Sequence, residues 1–200
     1  MDVFGTVGNM ETVNFQGKTD LLIITESLIP AGISAAEIDT NLRILKKKYF
    51  HNLREMMRVH RATLMPGIMD LLEKLRGRKG VITGLLTGNF MESAYIKLNR
   101  FDLGDYFSFG VFGCDAVNRN DMPGIARMIL KKKFSLDIDF RDMVIIGDTI
   151  YDIECSKKSG AVSVSVGTGW TDREILLKNN PDFYFDDLRD TRQVVTSILN

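Results

Sequence analysis

Two hundred residues, 44% hydrophobic and 26% charged, are ordinary usage for a globular chain of one domain, or of a core with a small inserted unit. The 26 Lys and Arg balance the 26 Asp and Glu, so no global charge points to nucleic acid or to an anionic membrane surface as partner. No apolar run reaches the ~20 residues a membrane helix needs. The opening MDVFGTVGNM has neither the basic start nor the apolar stretch of a secretory leader, so a cytoplasmic address is the expectation.

Cys114 and Cys155 are far apart and lack CxxC spacing, which argues against both a disulfide and a zinc site. His51 and His60 suit neither an i, i+4 metal pair nor a catalytic triad. Chemistry must then rest on carboxylates, hydroxyls and cations.

Residues 1–62 read as almost entirely helical, with Leu22, Ile23, Leu28 and Ile29 at helical spacing between Thr19 and Ala31. A longer helix is predicted from Ser34, where Ser34 and Glu37 form a capping-box signature. Its apolar face runs Ile38, Leu42, Leu45, Tyr49, Leu53 and Met56, and its cationic face reads as solvated. From Pro66 the rhythm changes. A proline-opened helix to Arg76 precedes a strand over Val81–Leu86, a helix over Met91–Leu98, a strand over Phe109–Phe112 and a helix over Met122–Lys133.

A buried strand over Met143–Ile146 follows, then a helix over Tyr151–Ser159 closed by Gly160. Val162–Val166 and Phe183–Phe185 read as strands, and helices are expected over Thr171–Leu177 and from Thr191. Strands alternating with helices predict an α/β fold: a doubly wound parallel sheet over residues 63–200, with a helical cap over residues 1–62.

Ligands of such sheets bind beyond the carboxyl ends of the strands. Two strands end in suitable residues. Gly147-Asp148-Thr149-Ile150-Tyr151-Asp152 places two carboxylates four residues apart where a strand gives way to a helix. Mg²⁺ takes hard oxygen ligands of this kind, with water and substrate phosphate completing its shell. Thr87-Gly88-Asn89 ends the earlier strand, and a hydroxyl with backbone N–H groups at a helix entrance can hold a phosphate oxygen. Arg119, just before the Met122 helix, offers a cation for phosphate charge. Taken singly, each has a plain alternative: a helix cap, a strand-to-helix turn, a solvated loop arginine.

In this order the three resemble motifs II, III and IV of the haloacid dehalogenase superfamily, in its phosphatase branch. Phe15-Gln16-Gly17-Lys18-Thr19-Asp20 is similar to the segment that opens the helical cap of phosphoglycolate-phosphatase-like members. Arginine at motif III departs from the more usual lysine; it keeps the charge but not the compact ammonium. The resemblance implies Mg²⁺ as cofactor, held by Asp148 and Asp152, the latter orienting metal waters or the motif III cation. It implies a phosphoryl group gripped by Thr87 and Arg119, with Gly88, Asn89 and Lys18 facing the substrate. The implied reaction is hydrolysis of a small phosphorylated metabolite through an aspartyl-phosphate.

The family's first motif, an apolar strand followed by Asp-x-Asp-x-Thr, supplies the nucleophile and the acid–base group. No such motif occurs here before the cap. The expectation is a chain lacking the central first strand, a deficit of roughly 20–30 residues, and inactive without it. Val81–Leu86 and Met143–Ile146 would then flank a vacant slot, either closing up or pairing with another chain. A rival reading makes Asp2 the nucleophile, since Asp2-Val3-Phe4-Gly5-Thr6 resembles the motif of true dehalogenases. Against it, Met1 alone precedes Asp2, and the favoured reading makes residues 1–8 the tail of a cap helix. The competing function is a catalytically dead remnant that binds phosphate, metal or a protein partner.

Overall fold

The computed structural model describes residues 3–116 and 118–199. Residues 3–19 form turns, not the expected helical segment, followed by α1 (Asp20–Leu28). Gly5, Gly8 and Gly17 all take positive φ there, a conformation that interrupts any helix. The segment is tied back where the Asn9 amide donates to the Ser27 carbonyl, at 2.9 Å.

A short 3₁₀ turn leads to α2 (Ala35–Val59), capped by Ser34, whose hydroxyl oxygen accepts from the Glu37 amide at 3.2 Å. The predicted capping residue is therefore the observed one. α3 (Ile68–Leu75) begins two residues after Pro66, not at it, because Gly67 takes φ 82° and lies against the Leu188 backbone. There the Leu188 amide donates to the Pro66 carbonyl.

The remaining elements alternate as predicted: β1 (Gly84–Leu86), α4 (Met91–Asn99), β2 (Phe109–Val111), α5 (Met122–Phe134), β3 (Val144–Gly147), α6 (Ile150–Ser159), β4 (Val162–Val166), α7 (Arg173–Lys178), β5 (Phe183–Phe185) and α8 (Thr191–Leu199). Every strand pairing is parallel. The strands form two ladders, β1–β2 and β3–β4–β5; among the described residues none joins β1 to β3. Of the two outcomes expected for those strands, closing up into one ladder is not seen among the described residues. Ile146 of β3 remains 36% exposed.

Side chains, not backbone pairing, connect the ladders. Leu86 of β1 packs on a cluster of Ile145, Cys155 and Ala161, and also on one of Val111, Ala116, Met122 and Ala126 beneath α5. A third cluster seats Leu71 and Leu75 of α3 against Val194 and Val195 of α8, with Val166 and Leu188. α2 docks on α4 through Phe50, edge-on to Phe90 at 6.2 Å between ring centroids. No helix among the described residues is long and apolar enough to cross a membrane.

Candidate active site

The carboxyl ends of β1 and β3 open on a cavity of about 360 Å³, within the usual range of roughly 300–1,000 Å³ for small-molecule sites. Its wall contains Lys18, Thr87, Gly88, Asn89, Arg119, Asp148 and Asp152, so all seven residues singled out in the sequence line one cavity. Phe15, Asp20, Ile23, Tyr49, Lys97 and Thr149 also line it and had carried no assigned role. Asp2 lies outside the described residues.

Asp152 is only 6% exposed and both its oxygens are engaged. Oδ1 meets the Arg119 guanidinium at 2.5 Å, and Oδ2 accepts from the Thr149 amide at 3.0 Å and the Thr149 hydroxyl at 2.7 Å. It therefore fixes the start of α6 and orients the cation. A side chain at Gly147 would collide with this carboxylate, which is why glycine ends β3. Arg119 sits in a 3₁₀ turn at the foot of α5, and its Nε is buried with no hydrogen-bond acceptor. The guanidinium is held by Asp152 and lies beside the buried Cys155 thiol, and the residue lines the cavity, where a fixed cation suits an anion.

Asp148 is half-buried. Burial first, and the Asp152 charge second, raise its pKa above the ordinary carboxylate value, against its own backbone amide and the Arg119 charge. Gly169 lies so close that a Cβ there would strike the Asp148 carboxylate, and Trp170 beside it is 94% exposed.

Thr87 and Asn89 are held by backbone bonds to the neighbouring strand end, Thr87 N–H to Val111 O at 3.0 Å and Gly113 N–H to Asn89 O at 2.8 Å. Gly88 must be glycine, since a side chain would strike the Lys18 carbonyl. That closeness reflects a lock between the segment preceding α1 and this loop. The Asp20 amide donates to Gly88 O at 2.7 Å, and Asp20 Oδ2 accepts from the Phe90 amide at 2.7 Å and the Ser93 hydroxyl at 3.1 Å. Lys18 reaches the cavity but pairs with Glu26 of α1.

Tyr49 joins from α2, its phenol pKa pushed up by burial and by the Asp20 charge. A second cleft of equal volume on α5 holds the Arg127–Asp137–Lys131 ion-pair cluster and Phe140, with no hydroxyl in its wall, and lies away from the strand ends.

This architecture has close counterparts. The sequence profile of the haloacid dehalogenase-like hydrolases matches residues 10–166. The chain belongs to that family. Phosphoglycolate phosphatase from Synechococcus elongatus is 26% identical over 136 residues, 68% of this chain and 61% of that protein. The Escherichia coli K12 phosphoglycolate phosphatase is 26% identical over 155 residues, 76% of this chain and 58% of the relative. The chain thus spans about three-fifths of the length of the curated relatives it matches.

Among solved structures, a hydrolase from Pseudomonas syringae superposes with a TM-score of 0.67 at 20% identity, covering 92% of this chain and 81% of that one. A predicted phosphoglycolate phosphatase from Haemophilus somnus 129PT gives 0.64 at 22% identity, covering 94% and 79%. These structures share the fold of this haloacid dehalogenase-like chain.

Proposed function

We propose that this haloacid dehalogenase-like chain is the phosphate-handling part of a Mg²⁺-dependent phosphatase for a small phosphorylated metabolite, with residues 1–62 as a cap over a core of residues 63–200. The observation that carries the reading is one cavity lined by Thr87, Asp148 and an Arg119 cation fixed by Asp152. The phosphoryl group would lie among these three, and Gly88, Asn89, Lys18 and Tyr49 would bound the rest of the substrate. The phosphoglycolate phosphatases among the relatives support a small anionic ester as substrate. A cytoplasmic setting, where the two free cysteines stay reduced, is part of the same reading.

The site fits Mg²⁺ as a partial ligand set. Among the described residues no group of three His, Cys, Asp or Glu side chains gathers around one point. Asp148 would serve as the protein anchor, with Asp152 acting through Arg119 and Thr149 and the other ligands coming from water and phosphate. A half-buried carboxylate with a raised pKa is one that a cation stabilises. Bound there, Mg²⁺ would neutralise charge on the phosphoryl oxygens. Arg119 orients the phosphoryl group from the other side, and Tyr49 with Phe15 restricts water.

Phosphate release from a panel of small phosphate esters, with and without Mg²⁺, tests the reading. Asp148→Asn is expected to lower any Mg²⁺-dependent rate by about 10²-fold or more. An unaffected rate sinks the assignment.

A second reading has its own support. Family chemistry implies an aspartyl-phosphate, yet Asp20 and Asp152 are both held by protein donors and Asp148 is needed for the cation. Among the described residues, the cavity wall thus leaves no free carboxylate to attack phosphorus. On this reading the 200-residue chain binds phosphate and metal without turning substrate over, which the same panel detects as saturable binding with no released phosphate.

A further inference from the structure

Lys97 lies two turns into α4 and lines the cavity, although nothing in its sequence position marks it as functional. Its Nζ donates to Asn89 Oδ1 at 2.6 Å. On the other side of the same amide, Asn89 Nδ2 donates to Thr87 Oγ1 at 2.8 Å, and the Asn89 backbone N–H donates to that oxygen at 3.2 Å. A threonine hydroxyl has two acceptor lone pairs and one proton to give. Both lone pairs of Thr87 are met from within the loop, so its remaining capacity is donation.

The direction of that donation depends on which way the Asn89 amide points. With the amide turned over, its NH₂ would face the Lys97 ammonium, donor against donor, and its oxygen would face Thr87. The Thr87 proton would then be consumed inside the loop. An ammonium has three donors and no acceptor, so it tolerates only the amide oxygen. No carboxylate forms an ion pair with Lys97 among the described residues; burial lowers its pKa, and the nearby Asp20 charge acts in the opposite direction, favouring the ammonium.

We propose that Lys97 is a positioning residue for phosphate binding: it locks the Asn89 amide so that the Thr87 hydroxyl donates to a phosphoryl oxygen in the cavity. The inference rests on the phosphate-site reading above and adds a residue to it. Lys97 works through Asn89 and Thr87 and does not itself touch the phosphoryl group.

Titration calorimetry with inorganic phosphate, in Mg²⁺, tests this on the intact chain without requiring turnover. Thr87→Val is expected to weaken phosphate by roughly tenfold or more, the worth of a hydrogen bond to a charged group. Lys97→Met should weaken it severalfold while leaving the thermal midpoint unchanged, and Lys97→Arg should recover most of the loss. The deciding comparison is Lys97→Met placed in an Asn89→Ala background, where it should have no further effect. If the Lys97→Met loss persists there in full, or if Lys97→Met binds phosphate as the parent does, the relay is overturned while the phosphate site stands. A parent chain that binds no phosphate overturns both together.

Discussion

At the scale of single residues, Asp152 holds Arg119, the Thr149 amide and the Thr149 hydroxyl at once. Removing one partner of a buried pair leaves the other charge uncompensated, typically at about 3–5 kcal/mol. Asp152→Ala is therefore expected to lower unfolding stability by about that amount in urea denaturation, with Asp152→Asn costing less because it keeps an acceptor for Thr149. The cysteines make a second test. Burial pushes the Cys155 thiol up to about 11, whereas Cys114 is exposed.

The thiolate of Cys155 is disfavoured only in the folded state. Its contribution to stability is complete below the ordinary value of 9.0 and is lost as pH rises from there through about 11. Alkylation at mildly alkaline pH should modify Cys114 alone, with Cys155 reacting only after denaturation, as peptide mass mapping would show.

Much of the site was legible at this scale. Thr87, Arg119, Asp148 and Asp152 stand at strand and helix ends, where local sequence pattern marks them. Lys97, Tyr49 and Asp20 reach the cavity through packing between elements distant in sequence, which no local pattern encodes.

Elements show the same division. α4 has no capping side chain of its own, since Phe90 occupies its N-cap. Asp20, 70 residues earlier, supplies the missing acceptor to the Phe90 amide and adds Ser93. Asp20→Ala should cost about 0.5–2 kcal/mol, as loss of an N-cap does. It should also loosen the start of α1 from the Thr87–Asn89 loop, so amide exchange at position 20 and at Phe90 should rise together.

α2 and α6 were predicted well because their caps, Ser34 and Gly160, are local. The expectation of a helix tail before Gly17 rests on distance to a family-like segment, and the structure has turns over residues 3–19, where three glycines at positive φ interrupt any helix. The strand expected over Val81–Leu86 shortens to Gly84–Leu86, with Val81 packing into the α3–α8 cluster.

For the molecule as a whole, alternating strands and helices correctly indicated a parallel α/β fold but not that its strands would lie in two ladders. Leu86 and the helix packing between α5 and α6 are what connect β1–β2 to β3–β4–β5. Side-chain contact couples two sheets less tightly than a shared ladder of hydrogen bonds. Thermal unfolding should accordingly depart from all-or-none behaviour, with a calorimetric enthalpy larger than the van't Hoff value. Equality of the two would show the ladders melting as one unit.

The close approach of Gly169 to Asp148 leaves the neighbouring indole, the only one in the sequence, standing almost bare in water. The molecule thereby carries a fluorophore one residue along the chain from the glycine that touches the Asp148 carboxylate, the proposed cation anchor. If cation binding at Asp148 shifts Gly169, the emission of Trp170 is expected to change on Mg²⁺ titration with no dye, no label and no added reporter.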